Sequence, residues 1–154
     1  MIFSIVMKST GQQADMNRAK LIEDWFEFGS EVLDVGTGDG QVCEYLMKRR
    51  GLKLAGLDIS EVASEKARQR GIGVEIRDIN NGLGLKTIEL YDYVLLSEVI
   101  EHTQYPNLIL IDAVRHSKKG VVVTIPNSAY LKWRIQLLRV IFRDNHLLIF
   151  TIGP

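Results

Sequence analysis

One cysteine, three prolines and the absence of net charge set the first limits on this chain of 154 residues. The single cysteine, Cys43, excludes an internal disulfide and fits the reducing cytoplasm, where we expect the protein. Because 19 basic residues balance 19 acidic ones, the overall charge favours neither nucleic acid nor an acidic membrane surface as a partner. The apolar start, residues 1–7, follows no basic segment and is too short for a signal peptide or a spanning helix. We therefore expect no nucleic-acid partner and no membrane span.

The remaining composition is that of an ordinary globular protein, with 46% hydrophobic and 25% charged residues. A chain of this length can bury a sizeable core without disulfides or metals. We expect a single domain over residues 1–154, with a lead-in helix in residues 1–30 and a C-terminal helix and tail in residues 128–154.

Short apolar runs alternate with amphipathic segments along the chain, which predicts a parallel α/β sheet with helices on both faces. The sequence therefore predicts a Rossmann-like, doubly wound fold with strand order 3-2-1-4-5 and a ligand crevice between strands one and four. In the helix before strand five, Leu108 and Ile111 are expected to face inward, together with Val114 or Ala113. The strands are predicted at 31–35, 53–58, 73–78, 91–96 and 120–125, and the helices at 15–28, 41–50, 61–70 and 107–117.

The glycine turn after strand one, residues 36–40, has the sequence G-T-G-D-G. A strand, a glycine turn and a helix N-terminus in this order are typical of a nucleotide site, because the missing Cβ atoms let a ligand approach the backbone closely. The turn is G-x-G-x-G, whereas the dinucleotide fingerprint is G-x-G-x-x-G. Asp34 and Asp39 put negative charge where a pyrophosphate would sit. This charge favours a ligand with a cationic or amine-bearing group and argues against a nicotinamide dinucleotide.

The other strands of the predicted sheet also end in polar residues. Asp58 ends strand two and can accept hydrogen bonds from both hydroxyls of a ribose. Asp78 ends strand three and can accept from an adenine amino group, while the backbone N–H of Ile79 donates to a ring nitrogen. Ser97 and Glu98 end strand four, near the amino-acid end of a ligand that crosses the turn. Each aspartate alone is about as often an N-cap or turn residue, but together they indicate one pocket.

Four ordered motifs, V-L-D-V-G-T-G-D-G, L-D-I-S, R-D-I-N and Y-D-Y-V-L-L-S-E-V-I-E-H, resemble those of class I S-adenosylmethionine-dependent methyltransferases. The resemblance covers residues 31–127 and implies S-adenosylmethionine as cofactor and S-adenosylhomocysteine as product. It implies that Asp34 and the glycine turn surround the methionine part, that Asp58 holds the ribose, and that Asp78 with Ile79 holds the adenine. The implied cofactor-binding residues are Asp34, Gly36, Thr37, Gly38, Gly40, Asp58, Ile59, Asp78, Ile79, Ser97 and Glu98.

Within that superfamily, K-K-G-V-V-V-T-I-P-N-S-A-Y-L-K-W-R-I-Q-L-L resembles the methionine-biosynthesis MetW family. The resemblance implies a methyltransferase that acts on a small molecule and is linked to methionine biosynthesis. The alternative is a non-catalytic or regulatory cofactor-binding module that docks on a metabolic enzyme such as homoserine O-acetyltransferase. The motif S-E-V-I-E-H is closer to generic small-molecule methyltransferases, so the methyl acceptor stays open and no catalytic residue is assigned.

Glu98, Glu101 and His102 have a spacing that puts them on one side of a helical turn, where they can ligate a divalent metal. Some RNA and quinone methyltransferases with a similar E-x-x-E-H run use one. In the alternative, which we favour, Glu98 lines the cofactor pocket while Glu101 and His102 cap and hydrogen-bond the following loop, and no metal is bound. His116 is expected at the surface.

Residues 129–143 predict a helix with a wide apolar surface and a basic stripe. A full class I methyltransferase continues with an antiparallel hairpin as strands six and seven, and we expect both strands to be missing here. Such a domain exposes one edge of its sheet and an apolar helix, and either surface can bind a second copy of the chain or an acyltransferase. The oligomeric state stays open.

Overall fold

The computed structural model describes residues 12–86, 88–126 and 147–152, over which helices and strands alternate. None of the described helices is long and apolar enough to cross a membrane. The helices are α1 (Gln12–Ile22), α2 (Gln41–Arg50), α3 (Glu61–Gln69) and α4 (Pro106–Arg115), with short 3-10 turns at Glu23–Trp25 and Ile100–His102. The strands are β1 (Glu31–Val35), β2 (Lys53–Asp58), β3 (Gly73–Ile76), β4 (Tyr91–Ser97), β5 (Ser117–Pro126) and β6 (Leu147–Ile152).

Local sequence signals account for the ends of two of these helices. Gly51 ends α2 in the left-handed conformation, with φ 62°, and its N–H donates to the Met47 carbonyl at 3.0 Å. Ser60 precedes α3, and its hydroxyl accepts a hydrogen bond from the Ala63 N–H at 3.2 Å.

The six strands form one sheet in the order β3-β2-β1-β4-β5-β6, and all neighbours are parallel. In β1, Leu33 lies opposite Ala55 of β2 and Val94 of β4. The predicted Rossmann-like order 3-2-1-4-5 is therefore confirmed. The chain leaves β1 toward β2 on one side and returns to β4 on the other, which opens a crevice at the carboxyl ends of β1 and β4.

The sheet contains one strand more than the five predicted, so β5 does not form its edge. β6 pairs with β5 over six residues, from Val121 opposite Leu147 to Pro126 opposite Ile152. Its sequence, LLIFTI, is a continuous apolar run of the kind that forms buried parallel strands. The contact predicted at that edge of the sheet thus cannot use β5. The predicted helix at 129–143 lies outside the described residues.

Alternate side chains of the central strands pack on opposite faces of the sheet. Val32 and Leu95 are buried on the face that packs against α1 and α2, in one cluster with Ile22. Leu33 and Leu96 are buried on the other face, with side chains of α4. Burial on both faces explains why these strands appear in the sequence as continuous apolar runs.

α4 contacts the sheet through a face that includes the predicted Ala113 but neither Leu108 nor Ile111. Ile109, Leu110 and Ala113 are fully buried, whereas Leu108 and Ile111 are 42% and 40% exposed. The run L-I-L-I contains four consecutive apolar residues, so its sequence fits two helical phases equally well. Packing against the sheet selects the phase, and the prediction for Leu108 and Ile111 is corrected.

Ile109→Ala and Ile111→Ala are expected to differ strongly in stability although both sit in the same helix. Ile109 fills a closed core, so its truncation should lower the free energy of unfolding by about 3 kcal/mol. Ile111 is partly solvated, and its truncation should cost less than about 1 kcal/mol. Urea denaturation of the two variants measures the difference, and a larger loss for Ile111→Ala than for Ile109→Ala would show that the helix packs in the predicted phase.

Candidate functional site

The backbone N–H groups of the glycine turn are largely used by the protein itself. Gly36 and Thr37 both donate to the Leu57 carbonyl of β2, at 2.7 and 3.1 Å. The Gly38 N–H donates to Asp58 Oδ2 at 2.7 Å. A pyrophosphate needs such N–H groups to be free. The turn is therefore a poor dinucleotide site, in agreement with the prediction made from its acidic residues.

The three glycines of the turn are required for different reasons. A Cβ atom at Gly36 would lie 2.6 Å from Val99 Cγ2, and one at Gly40 would lie 2.6 Å from Ile72 Cδ1. Gly38 has φ +58° but no atom within 4 Å of the position its Cβ would take. Gly36 and Gly40 thus allow close packing within the protein, whereas Gly38 leaves open space on the outer side of the turn.

Thr37 faces the sheet. Its Oγ1 donates to the Asp34 carbonyl at 2.9 Å, and a Cβ at Gly56 of β2 would overlap that hydroxyl. The side chain is buried under the turn. Thr37 is predicted to bind the cofactor. Because its side chain is buried, it can do so only through its backbone.

Asp34 is buried beneath the turn, with 3% of its surface exposed. The thiol of Cys43 lies 2.9 Å from Asp34 Oδ2, while Oδ1 is buried without a hydrogen-bond partner. Burial raises the pKa of Asp34 to about 7, and the negative charge of Asp58 adds to this rise. The hydrogen bond from Cys43 and the positive charge of Arg18 oppose it. A carboxyl group with this pKa changes between its protonated and ionised forms near neutral pH.

Cys43 is a structural residue. Its side chain is completely buried, and burial raises the pKa of its thiol, with the nearby Asp34 carboxylate adding to the effect. A thiol that stays protonated is a poor nucleophile. Cys43 therefore serves as a small buried residue of the core.

A cavity of about 240 Å³ lies at the carboxyl ends of the first three strands. It brings together five of the predicted residues, so that the ends of β1, β2 and β3 share one wall. These are Gly36, Asp58, Ile59, Asp78 and Ile79, and the cavity is completed by Leu57, Arg77, Asn80, Val99, His102 and Thr103.

Both predicted aspartates of this cavity also organise the local backbone. Asp58 Oδ1 accepts from the Ser60 N–H at 2.8 Å, in addition to the bond from Gly38 on its other oxygen. Asp78 Oδ1 accepts from the backbone N–H and the side-chain amide of Asn80, both at 2.9 Å. A carboxylate has about four acceptor positions, so each aspartate keeps capacity for a ligand.

Ser97 and Glu98, at the end of β4, are absent from the lining of this cavity. Ser97 Oγ lies 3.0 Å from Thr124 Oγ1 of β5. Glu98 is the one non-glycine residue with a positive φ, 53°, among the residues that the structure describes. Its N–H donates to the Thr124 carbonyl at 2.9 Å. The structure thus separates these two residues from the five that line the cavity.

Arg18 is a partner of Glu98 that sequence reasoning missed. It extends from α1 and forms ion pairs with both Asp15 and Glu98, with its side chain only 12% exposed. Burial raises the pKa of Asp15, and the charge of Arg18 opposes that rise. No local pattern signals this contact, because it joins residues that are 80 positions apart in the sequence.

The side chains of Glu98, Glu101 and His102, which form the E-x-x-E-H run, lie in three different environments. Glu98 pairs with Arg18, His102 lines the cavity, and the Glu101 carboxylate is buried without a partner. Across the described residues, no group of three His, Cys, Asp or Glu side chains could hold a metal ion. The prediction that Glu101 hydrogen-bonds the following loop is also wrong.

His116 was predicted at the surface, but the structure buries it. Its ring Nδ1 lies 2.8 Å from the Asp112 carbonyl of α4. His116 therefore belongs to the end of α4, away from the cavity.

Two curated proteins and one solved structure show what this chain is similar to. A ubiquinone biosynthesis O-methyltransferase of Maricaulis maris (strain MCS10) is 36% identical over 100 residues, which are 60% of this chain and 38% of that protein. A bifunctional methionine biosynthesis protein MetXA/MetW of Rhodopirellula baltica is 27% identical over 114 residues, 69% of this chain and 18% of that protein. The chain spans less than half the length of these two relatives.

The crystal structure of a SAM dependent methyltransferase from Archaeoglobus fulgidus superposes with a TM-score of 0.63 at 22% identity. The alignment covers 87% of this chain and 62% of that one, so the two share a fold. The family model described as methionine biosynthesis protein MetW matches residues 15–142, which is most of the sequence. The chain therefore belongs to the MetW family.

Proposed function

We propose that this chain binds S-adenosylmethionine and transfers its methyl group to a small molecule. The observation that carries the proposal is the single cavity that joins Asp58 and Asp78 with the first glycine of the turn. The related O-methyltransferase of Maricaulis maris supports the same reaction class. A link to methionine biosynthesis, supported by the MetW family model, and a cytoplasmic location belong to the same proposal.

The residues present fit the cofactor. Leu57, Ile79 and Val99 give the cavity apolar walls for an adenine ring, and Asp58 and Asp78 supply acceptors for hydroxyl and amino groups. The cavity of about 240 Å³ is smaller than the roughly 300–1,000 Å³ of typical ligand sites, so it holds only part of such a molecule. The remainder would lie over Gly38, where the turn is open.

The chain's own contribution to the reaction is positioning. The bound cofactor supplies an electrophilic methyl group. The cavity would hold the nucleoside, and the open face of the turn would direct the methionine part toward the end of β4. A nucleophile then needs alignment rather than a strong acid or base.

Asp58→Ala is expected to weaken binding of S-adenosylhomocysteine about 10- to 100-fold, because charge-assisted hydrogen bonds to the ribose are lost. Isothermal titration of the wild type and the variant measures the effect. Asp24→Ala is the matched control, since Asp24 is exposed and lies outside the cavity. Asp58→Asn, which keeps the shape of the side chain, separates loss of charge from loss of the Gly38 and Ser60 contacts. Wild type that binds neither S-adenosylmethionine nor its product would contradict the cofactor assignment.

Docking on a metabolic enzyme is the second candidate function. It is supported by the Rhodopirellula baltica relative, whose name joins MetXA and MetW in one protein. Cofactor binding without turnover over a panel of methyl acceptors would favour docking. Co-purification with an acyltransferase would then identify the partner.

A further inference from the structure

Glu101 holds an unusual carboxylate in the 3-10 turn Ile100–His102. Both of its oxygens are shielded from solvent, and neither accepts a hydrogen bond. Burial raises the pKa of Glu101, and smaller opposing effects come from its own backbone N–H and from His102. Asp34, the other described carboxylate with a buried unpartnered oxygen, has a partner on its second oxygen. A carboxylate that is shielded from solvent and lacks partners on both oxygens calls for an explanation, and a catalytic role is one of them.

The charged groups around Glu101 cannot satisfy it. Those that act on its carboxyl are His102, Glu98 and Arg18. Glu98 repels it, and Arg18 already pairs with Asp15 and Glu98. Arg18 Nε is itself buried and unpartnered, so it does not donate to Glu101. Arg18 is therefore shared between two carboxylates, and the third is left without a cation.

The two backbone N–H groups that follow Glu101 are used by other acceptors. The His102 N–H donates to the Val99 carbonyl at 3.1 Å, and the Thr103 N–H donates to the Ile100 carbonyl at 3.2 Å. Val99, His102 and Thr103 all line the cavity. Glu101 thus belongs to the segment that forms one wall of the cavity, and its neighbours in the chain line that wall.

We propose that Glu101 binds a protonated amine, and that the methyl acceptor of this site is an amine. The inference rests on the proposed function. An ammonium group supplies a positive charge and up to three N–H donors, enough to satisfy both buried oxygens. An alcohol supplies one donor and no charge, and it would leave one carboxylate oxygen unpaired.

Glu101 then has a second task, because an ammonium nitrogen has no lone pair. Its carboxylate accepts one proton from the ammonium, which yields a neutral carboxylic acid and a free amine. The nitrogen lone pair becomes available for the new N–C bond, and charge is conserved in the transfer. The raised affinity of the buried carboxyl for a proton favours this step.

The test is a titration of the protein saturated with S-adenosylhomocysteine. Benzylammonium is the cationic probe, and benzyl alcohol is its neutral control of similar shape. We expect benzylammonium to bind the wild type at least tenfold more tightly than benzyl alcohol, and Glu101→Gln to remove that preference. Glu65→Gln is the matched control, since Glu65 is an exposed carboxylate of α3 outside the cavity.

Each of the following results would overturn the inference. Equal binding of the two probes by the wild type would do so, and that comparison does not depend on whether the variant folds. If Glu101→Gln is folded, as checked by circular dichroism, and keeps the preference for benzylammonium, then a residue other than Glu101 causes that preference. Weaker S-adenosylhomocysteine binding by Glu101→Gln would place Glu101 in the cofactor site. If the wild type binds S-adenosylhomocysteine but neither probe, the amine inference fails and the proposed function stands. If it binds no S-adenosylhomocysteine, both fail.

Discussion

Replacing Asp34 with Asn is expected to remove a pH dependence of about 4 kcal/mol from the free energy of unfolding. The folded-state pKa of Asp34 is about 7, above its ordinary value of 3.8. Between these values the folded protein binds more protons than the unfolded chain. The contribution of Asp34 to stability therefore falls as the pH rises from about 4 to about 7, and it is constant outside that window. Denaturant unfolding of both proteins at several pH values gives the difference.

Asp92→Asn is the control, because the pKa of Asp92 is shifted in the opposite direction from that of Asp34. The backbone N–H of Glu31 holds the pKa of Asp92 below its ordinary value, with the charges of Lys119 and Lys118 also contributing. Asp92 therefore stabilises the fold above its ordinary pKa and loses that effect as the pH falls. If wild type and Asp34→Asn keep a constant difference from pH 4 to 7, Asp34 is not a buried acid that retains its proton.

Gly38→Ala and Gly40→Ala are expected to separate ligand binding from folding. A methyl group at Gly40 would lie 2.6 Å from Ile72 Cδ1 and 3.0 Å from the Ala67 Cα, at φ +80°. This overlap should lower the free energy of unfolding by about 3 kcal/mol. At Gly38 the space is open, so only the left-handed backbone is penalised, by about 1–2 kcal/mol. Gly38→Ala should nevertheless weaken S-adenosylhomocysteine binding at least tenfold, because its methyl group occupies the open face of the turn.

Thermal unfolding and isothermal titration together test this pair of variants. Gly71→Ala is the control, since Gly71 has φ +86° and no atom within 4 Å, but lies at the end of α3. It should match Gly38→Ala in stability and bind like the wild type. If Gly38→Ala also binds like the wild type, the cofactor does not cross the turn.

The features that the sequence predicts well are those fixed by short patterns and by general rules of parallel sheets. The apolar runs specify the strands, and the doubly wound order places the carboxyl ends of neighbouring strands together, so that Asp58 and Asp78 meet in one cavity. Ser60 marks the start of α3 because its hydroxyl caps a nearby N–H. In each case the decisive atoms are close in sequence or are brought together by the topology.

The features that were missed depend on contacts between side chains that are distant in sequence. Arg18 reaches Glu98 from a helix that shows only packing residues and surface charges in its sequence. The phase of α4 is decided by the sheet surface, because L-I-L-I permits more than one. Thr37 turns inward since Gly56, on a different strand, leaves room for it. Such complementarity leaves no periodic signal in either partner.

The hydrogen bonds of the glycine turn also bear on the speed and thermodynamics of binding. Gly36, Thr37 and Gly38 are each bonded to β2 before any ligand arrives. The turn therefore has little conformational entropy to lose on association, and a ligand meets a surface that is already formed. Association limited by diffusion and orientation rather than by loop ordering follows from this arrangement, and the amide protons of the turn should exchange slowly even in the free protein.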